Sequence, residues 1–504
     1  MNREEIIEIL HRLEEIYEVD KWNINGIDLW PVIRISYAFK LLSQNETCYI
    51  NNKYNEKSKN PSLITKTIRY FYYGVRNKLH RIALYIEDIW ARRYYRMTIS
   101  NFDTKYIFLG AHSHRVMLNG TVYNRFFDPL IEQSKLNNYL VFEYDGYNTK
   151  NRYPAKEKVV DLNKVIKGHN LERNLITELN RWEQLLDFTK DQVVDNGYSE
   201  VANEFVSYIK SPNTVRILNL LLSQYLFWNK YFDTHKVKVV YTLCYYSIPN
   251  FAIYAAAKAH NIKTIEVQHG PQSKYHPAFA AYSKVPPMGY NTLPDVFWCW
   301  DQESTIVIKD WNSSRHQAIV GGHPWLEAWR LGLFKFKLET NCKPIILYAL
   351  QTFPLEDAFP GFLIRTIKET EDLHWIIRLH PRMNNISLDI KELLEVNKIS
   401  NFDIHKSDLY PLPAVLSKTA VNVTFFSGVT IEAALMGIKT IVIDERGISF
   451  FTNLINQGDV IPFLSNDHIE FANLIRSVIS ENCQDTTGYI HPCMSIKTFM
   501  EINE

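Results

Sequence analysis

The sequence is nearly without net charge: 56 lysines and arginines stand against 55 aspartates and glutamates, a formal +1. That excludes a global attraction to nucleic acid, so any contact with a polyanion has to be local. Cysteine is sparse. The six residues, Cys48, Cys244, Cys299, Cys342, Cys483 and Cys493, include no CxxC pair, which speaks against a zinc site and for reduced thiols in a cytoplasmic chain. No stretch approaches the ~20 apolar residues that a membrane span needs. The charged start, MNREEIIEILHRLEEIYEVDKW, lacks the apolar core of a signal peptide. Internal repeats and low-complexity tracts are missing too, as are a GxxxxGK(S/T) loop, a GxGxxG turn after a strand and a GxSxG elbow. No Asp-x-Asp follows an early strand, so a metal-held donor phosphate is not expected, and no metal ligand set is assigned.

What is present is an ordinary globular composition, 46% hydrophobic and 22% charged, over 504 residues, enough for two to three domains. Residues 3–17 carry Ile6, Leu10 and Leu13 at helical spacing, and 44–62, rich in Asn, Ser and Lys, reads as a loop. The stretch 66–98 sets Lys66, Arg69, Arg76, Lys78, Arg81, Arg92, Arg93 and Arg96 against only Glu87 and Asp88, with aromatics between them. Such a helix can pack one stripe on the domain and leave a solvated basic face, or lie on an anionic membrane and receive a lipid-linked acceptor.

From residue 104 strands alternate with helices: KYIFLGA, NYLVFEYD, KVVYTLCYY, KTIEVQHG, DVFWCWD and HQAIVGGHPW. A second alternation follows: KPIILYALQ, HWIIRLHPR, AVNVTFFSG and KTIVIDE, with helices between and a last helix near 467–480. The expected class is α/β, two doubly wound Rossmann-like domains facing a cleft with an N-terminal helical extension. The expected divisions are residues 1–100 for that extension, 101–325 and 340–485 for the two domains, and 486–504 for a tail.

The chemistry gathers at strand ends. Arg378, His380, Pro381 and Arg382 close HWIIRLHPR, where guanidinium forks and an imidazole suit a phosphate. Ser427 and Gly428 follow a strand and open a helix with Thr430 and Glu432 in its first turn, a ready anion site with a carboxylate for ribose hydroxyls. The plainer reading is a simple N-cap. In the first half, Gln268, His269 and Gly270 end one strand and Asp145-Gly146 another. His269 suits a general base because imidazole titrates near neutral pH; Asp145 is its rival. His112, Ser113, His114 and Arg115 form a further polar cluster, with 119–128 as its extension on an acceptor surface. GGHPW at 321–325 reads as hinge geometry between the domains.

Taken together, His380-Pro381 and then Ser427 with Thr430 resemble the GT-B glycosyltransferases, and more narrowly the bacterial enzymes of capsule, lipopolysaccharide and teichoic-acid assembly. The resemblance covers roughly 235–480. It implies that His380, Pro381, Ser427 and Thr430 hold the phosphate of a nucleotide-sugar donor, to which the chemistry above adds Arg378, Arg382, Gly428 and Glu432, and it tilts that donor towards a CMP or CDP type. EVQHG is similar to the His-Gly element of CDP-glycerol polymerases, which implies His269 as base. EYDG is similar to the acidic-Gly motif of bacterial sialyltransferases, with Tyr144 in one acidic position, which implies Asp145 instead. His112, His114, Arg115 and Gln268 would then bind the acceptor, an oligosaccharide or lipid-linked glycan of a growing surface polysaccharide. The expected protein is cytoplasmic or peripheral on the inner face of the plasma membrane. It needs no cofactor beyond the nucleotide sugar, no metal and no nucleic acid. The alternatives are a CDP-glycerol or CDP-ribitol polyol-phosphate transferase, which leaves phosphate in the product, a sugar-nucleotide epimerase, which needs no acceptor, and a non-enzymatic scaffold.

Overall fold

The structure, a computed structural model, describes residues 3–50, 85–98, 103–173, 200–272, 274–312, 315–335, 343–380, 383, 386–406, 410–482 and 494–503. The chain divides into two compact units. One comprises Met1–Ser113, Leu136–Thr149 and Ala155–Val320; the other comprises His114–Lys135, Lys150–Pro154 and Gly321–Glu504.

The first unit is built on a seven-stranded sheet. Its strands lie side by side in the order Gln317–Val320, Val296–Cys299, Lys263–Val267, Val239–Thr242, Tyr106–Gly110, Tyr139–Glu143 and Val159–Asp161. All six pairings are parallel. The central strands are buried along their whole length, which is why VVYT and VFWC read as unbroken apolar runs without alternation. The helices Arg3–Ile16 and Trp30–Ile50 belong to the same core, with Ile6, Leu10 and Trp30 in one cluster with Ile107 and Leu109.

The second unit carries six parallel strands in the order Phe402–His405, His374–Arg378, Ile345–Ala349, Thr419–Thr424, Thr440–Val442 and Val460–Pro462. Counted along the chain this is 3-2-1-4-5-6, the doubly wound order whose ligands lie beyond the carboxyl ends where the order reverses. The expected fold class, α/β with two Rossmann-like sheets, is therefore observed. The reversal points fall after Gly110 and Thr242 in the first unit and after Ala349 and Thr424 in the second.

Three segments differ from the sequence-based expectation. Residues 44–50 continue the helix Trp30–Ile50, because this stretch holds no Gly or Pro to end it; 51–62 lie outside the described residues. Residues 115–124 form an antiparallel hairpin, Arg115–Leu118 with Thr121–Asn124, turned at Asn119 and Gly120 with φ of 49° and 75°. Met494–Asn503, within the stretch read as a tail, is a helix whose Ser495 donates from both backbone N–H and hydroxyl to Glu327 (2.8 Å each).

Candidate functional site

In the second unit, Arg378 is the last residue of its strand and is 9% exposed; its guanidinium donates to the Tyr410 carbonyl (2.7 Å). Tyr410 in turn stacks on His405, with ring centroids 3.9 Å apart. Across the reversal point, the Ser427 hydroxyl accepts the Val429 N–H (3.4 Å), but the N-cap position of that helix is Gly428, so Ser427 is not the side-chain cap that the sequence suggested. Thr430 is fully buried, and its hydroxyl has no hydrogen-bond partner among the described residues. The helix that follows Gly428, Val429–Leu435, is only seven residues long, so its dipole is short and the charge of this site rests on side chains.

Those side chains converge on Glu432. Burial raises its carboxyl above the usual range, while Arg125 and Arg378 pull it back down. His323 Nε2 lies 3.8 Å from Glu432 Oε1. Burial first, and then the Arg125 charge, push the His323 imidazole down to about 3, so the ring is neutral at physiological pH. It stacks on Phe126 (5.7 Å, 27°). Arg125 follows the hairpin and donates through Nε to the His114 carbonyl (3.4 Å). GGHPW thus opens the helix Pro324–Arg330 and sets His323 against Glu432. Gly322 stands at φ 81°, and a Cβ there would collide with the Glu327 carboxylate. His380 follows the same strand as Arg378, whereas Pro381 and Arg382 lie outside the described residues.

In the first unit, Cys244 after one central strand and His269 after the next come together. The Cys244 N–H points at His269 Nδ1 (3.2 Å), the Tyr246 hydroxyl meets Nε2 (3.3 Å), and Glu266 Oε1 lies 3.5 Å from Nδ1. Glu266 is fully buried and its carboxyl is raised by that burial. For His269, burial alone would lower the pKa. The neighbouring Cys244 and Glu266 side chains outweigh it and raise the ring's pKa to about 10. Glu143, 1% exposed, ends the strand Tyr139–Glu143, two strands away from Val239–Thr242. Asp145 is exposed just beyond, and its carbonyl accepts the His112 N–H (3.1 Å). Gly146 makes that turn possible: at φ 70°, any Cβ would strike His112.

The polar cluster read at 112–115 separates. His112 stays beside Asp145 in the first unit, while His114 and Arg115 belong to the second. Arg115 is buried, donates to the Val122 carbonyl (3.0 Å) and faces Asp128 (3.5 Å), so it braces the hairpin. Gln268 is likewise fully engaged. Its amide donates to the Gly270 carbonyl (3.0 Å) and Ser304 hydroxyl (3.2 Å) and accepts the Trp300 N–H (2.7 Å). Cys244 and Tyr246 are the residues that motif reading did not reach, while Arg125, within the 119–128 read as acceptor surface, and His323, within the GGHPW read as a hinge, stand beside Glu432 instead.

Among the described residues no group of three or more His, Cys, Asp or Glu is arranged to hold a metal ion, and no helix is long and apolar enough to cross a membrane. No protein-family model matches the chain, and no curated protein matches its sequence. Among solved structures it is similar to the UDP-GlcNAc 2-epimerase of Neisseria meningitidis bound to UDP-GlcNAc, at 14% identity and TM-score 0.47, covering 79% of this chain and 99% of that one. It is also similar to a putative UDP-N-acetylglucosamine 2-epimerase of Listeria monocytogenes (11%, TM-score 0.48, 79% and 96% covered). A third is MurG of Acinetobacter baumannii (12%, TM-score 0.41, 79% and 99% covered). Likeness at this level decides neither reaction nor substrate.

Proposed function

We propose that this chain is a nucleotide-sugar-dependent glycosyltransferase that moves a sugar from a donor of CMP type onto a growing bacterial surface glycan. In this reading the second unit takes the donor and the first the acceptor, an oligosaccharide or a lipid-linked glycan. The observation that carries the reading is the group around Glu432: two guanidiniums, Arg125 and Arg378, with neutral His323 beside them, at the reversal point of a doubly wound sheet. Guanidiniums bind phosphate oxygens by paired N–H donors, and a buried carboxylate accepts ribose hydroxyls. The unpartnered Thr430 hydroxyl, with Ser427 and His380, completes the polar lining.

The first unit supplies the base. A ring held protonated at neutral pH is suited to stabilise charge rather than accept a proton, so the charge of His269 favours Asp145 as base. The acceptor hydroxyl gives its proton to Asp145 as its oxygen attacks the anomeric carbon. The bond from that carbon to the nucleotide phosphate breaks, and Arg125, Arg378 and His380 neutralise the departing charge, with no metal required.

One observation favours a second reading. Glu266 is a buried carboxyl whose Oε1 lies 3.5 Å from His269 Nδ1, an acid–base pair that a sugar-nucleotide epimerase also needs. Thermal-shift measurements against CMP, CDP, UDP and GDP, with and without Mg²⁺, test donor binding, because a ligand that binds only the folded chain raises its stability. A shift with one nucleotide and no metal supports the proposal; no shift with any defeats it. Deuterium entering the sugar of that nucleotide in D₂O without acceptor would decide for the epimerase.

A further inference from the structure

The helix over 85–98 has two unlike sides. Its inner side is fixed to the helix Leu162–Arg173: Ala91 is fully buried against Gly168, where a Cβ would collide with the Ala91 carbonyl. The Tyr94 hydroxyl accepts the Asp161 N–H (3.1 Å), and Tyr95 packs edge-on to His169 (5.4 Å). The helix's only acids, Glu87 and Asp88, both pair with Lys167 (3.1 and 2.9 Å) on this mounting.

The outer side is apolar where a surface helix is normally polar. Tyr85 is 68% exposed, Ile86 48%, Ile89 49%, Trp90 55% and Met97 54%. Arg92, Arg93 and Arg96 are interleaved with them and exposed, with the Arg93 guanidinium 5.7 Å from the Trp90 ring. At about 100° per residue, these positions fill one continuous arc of roughly 160°, and neither acid falls within it.

We propose that this face is a docking surface for an anionic lipid bilayer. Large apolar and aromatic side chains that sink to the acyl boundary, with guanidiniums reaching headgroup phosphates from the same helix, are what an interfacial helix presents. The charge argues for lipid over a neutral surface. The whole chain carries only +1, so its overall charge gives little attraction, and three arginines without an acid on one face supply a local one. The contact is peripheral and does not depend on the proposed reaction.

The test is flotation of the full chain, without nucleotide, on vesicles of phosphatidylcholine alone or mixed with phosphatidylglycerol. Binding is expected on the mixed vesicles only and weakens with salt. The triple variant R92Q/R93Q/R96Q lowers it by roughly a hundredfold, since each basic residue near such a surface contributes about fivefold. The corresponding triple lysine variant retains it. The pair Ile89→Ser and Trp90→Ser weakens it without lowering the melting temperature, because both residues are exposed. No flotation on mixed vesicles, equal flotation on neutral ones, or binding indifferent to both the glutamine and serine changes overturns the proposal.

Discussion

Glu14 and Arg34, each without solvent exposure, form an ion pair of 3.0 Å that ties the N-terminal helices to a loop some 250 residues further along the chain. Arg34 donates to the carbonyls of Pro277, Ala280 and Ala281, while Glu14 accepts from Trp30, from the Ser283 N–H and from the Ser283 hydroxyl. The same loop carries His276, whose ring packs 5.5 Å from Tyr246 beside His269. Glu14→Ala leaves a buried guanidinium uncompensated, and the expected cost is about 3–5 kcal/mol, with activity lost alongside. Denaturant unfolding of the full chain checks this. The double change Glu14→Leu with Arg34→Met is expected to be milder than Glu14→Ala alone; if Glu14→Ala behaves like a surface substitution, the network is not a brace.

Arg125 lies in the stretch 119–128 that the sequence suggested for the acceptor, yet it belongs to the second unit and acts on Glu432. Arg125→Gln removes one of the two guanidiniums facing Glu432 and is expected to weaken nucleotide binding at least tenfold, as His380→Ala does, on the scale of a charge-assisted contact. Calorimetric titration with the nucleotide chosen by thermal shift measures both. Arg476→Gln, which breaks only the exposed pair with Asp372, serves as the control and leaves affinity unchanged. Affinity that survives Arg125→Gln removes that residue from the site.

Roles in the first unit separate by pH. With Asp145 as base, Asp145→Asn lowers kcat by about a hundredfold or more. A rate that depends on the His269 cation falls as pH rises through about 10, where the ring loses its proton, and His269→Gln abolishes that alkaline limb. If His269 is the base, the rate instead climbs towards pH 10 in the parent protein. Initial rates from pH 6 upward distinguish the two cases.

Much of the architecture was legible because parallel strands buried on both faces are unbroken apolar runs; IILYA and HWIIR stand out from the helices between them. The hairpin at 115–124 carried its own signal, Asn119-Gly120 between apolar residues, which motif reading passed over. Its membership of the second unit was not legible. Arg125 reaches Glu432 only because the chain leaves the first sheet and returns to it, and no local pattern records that excursion. Cys244 and Tyr246 escaped for a related reason: their strand neighbours that of His269, a fact of strand order rather than of spacing. His323 was readable in part, since His-Pro after two glycines is also a helix start with the histidine as cap.

Acid stability follows from His316, which is fully buried with both ring nitrogens engaged. Nε2 accepts the Tyr290 N–H (2.9 Å) and Nδ1 donates to the Pro294 carbonyl (2.7 Å), so the neutral ring carries its proton on Nδ1. Gly289, at φ 71°, leaves room for the ring, and a Cβ there would strike Nε2. Burial, reinforced by Arg315, holds the folded-state pKa down at about 4, against about 6.5 for an unfolded histidine. The unfolded chain therefore binds the extra proton between those values. Stability is complete above about pH 6.5 and is lost as pH falls towards 4, by roughly 3 kcal/mol from this group alone. His323, held at about 3, adds a loss of the same sign in the second unit. His316→Gln should melt lower at pH 7.5, having lost a fitted pair of hydrogen bonds, yet lose less on acidification than the parent. Melting curves at intervals from pH 7.5 to 4.5 give the comparison. Parallel pH slopes for the two proteins would mean that His316 is not the group that takes up the proton.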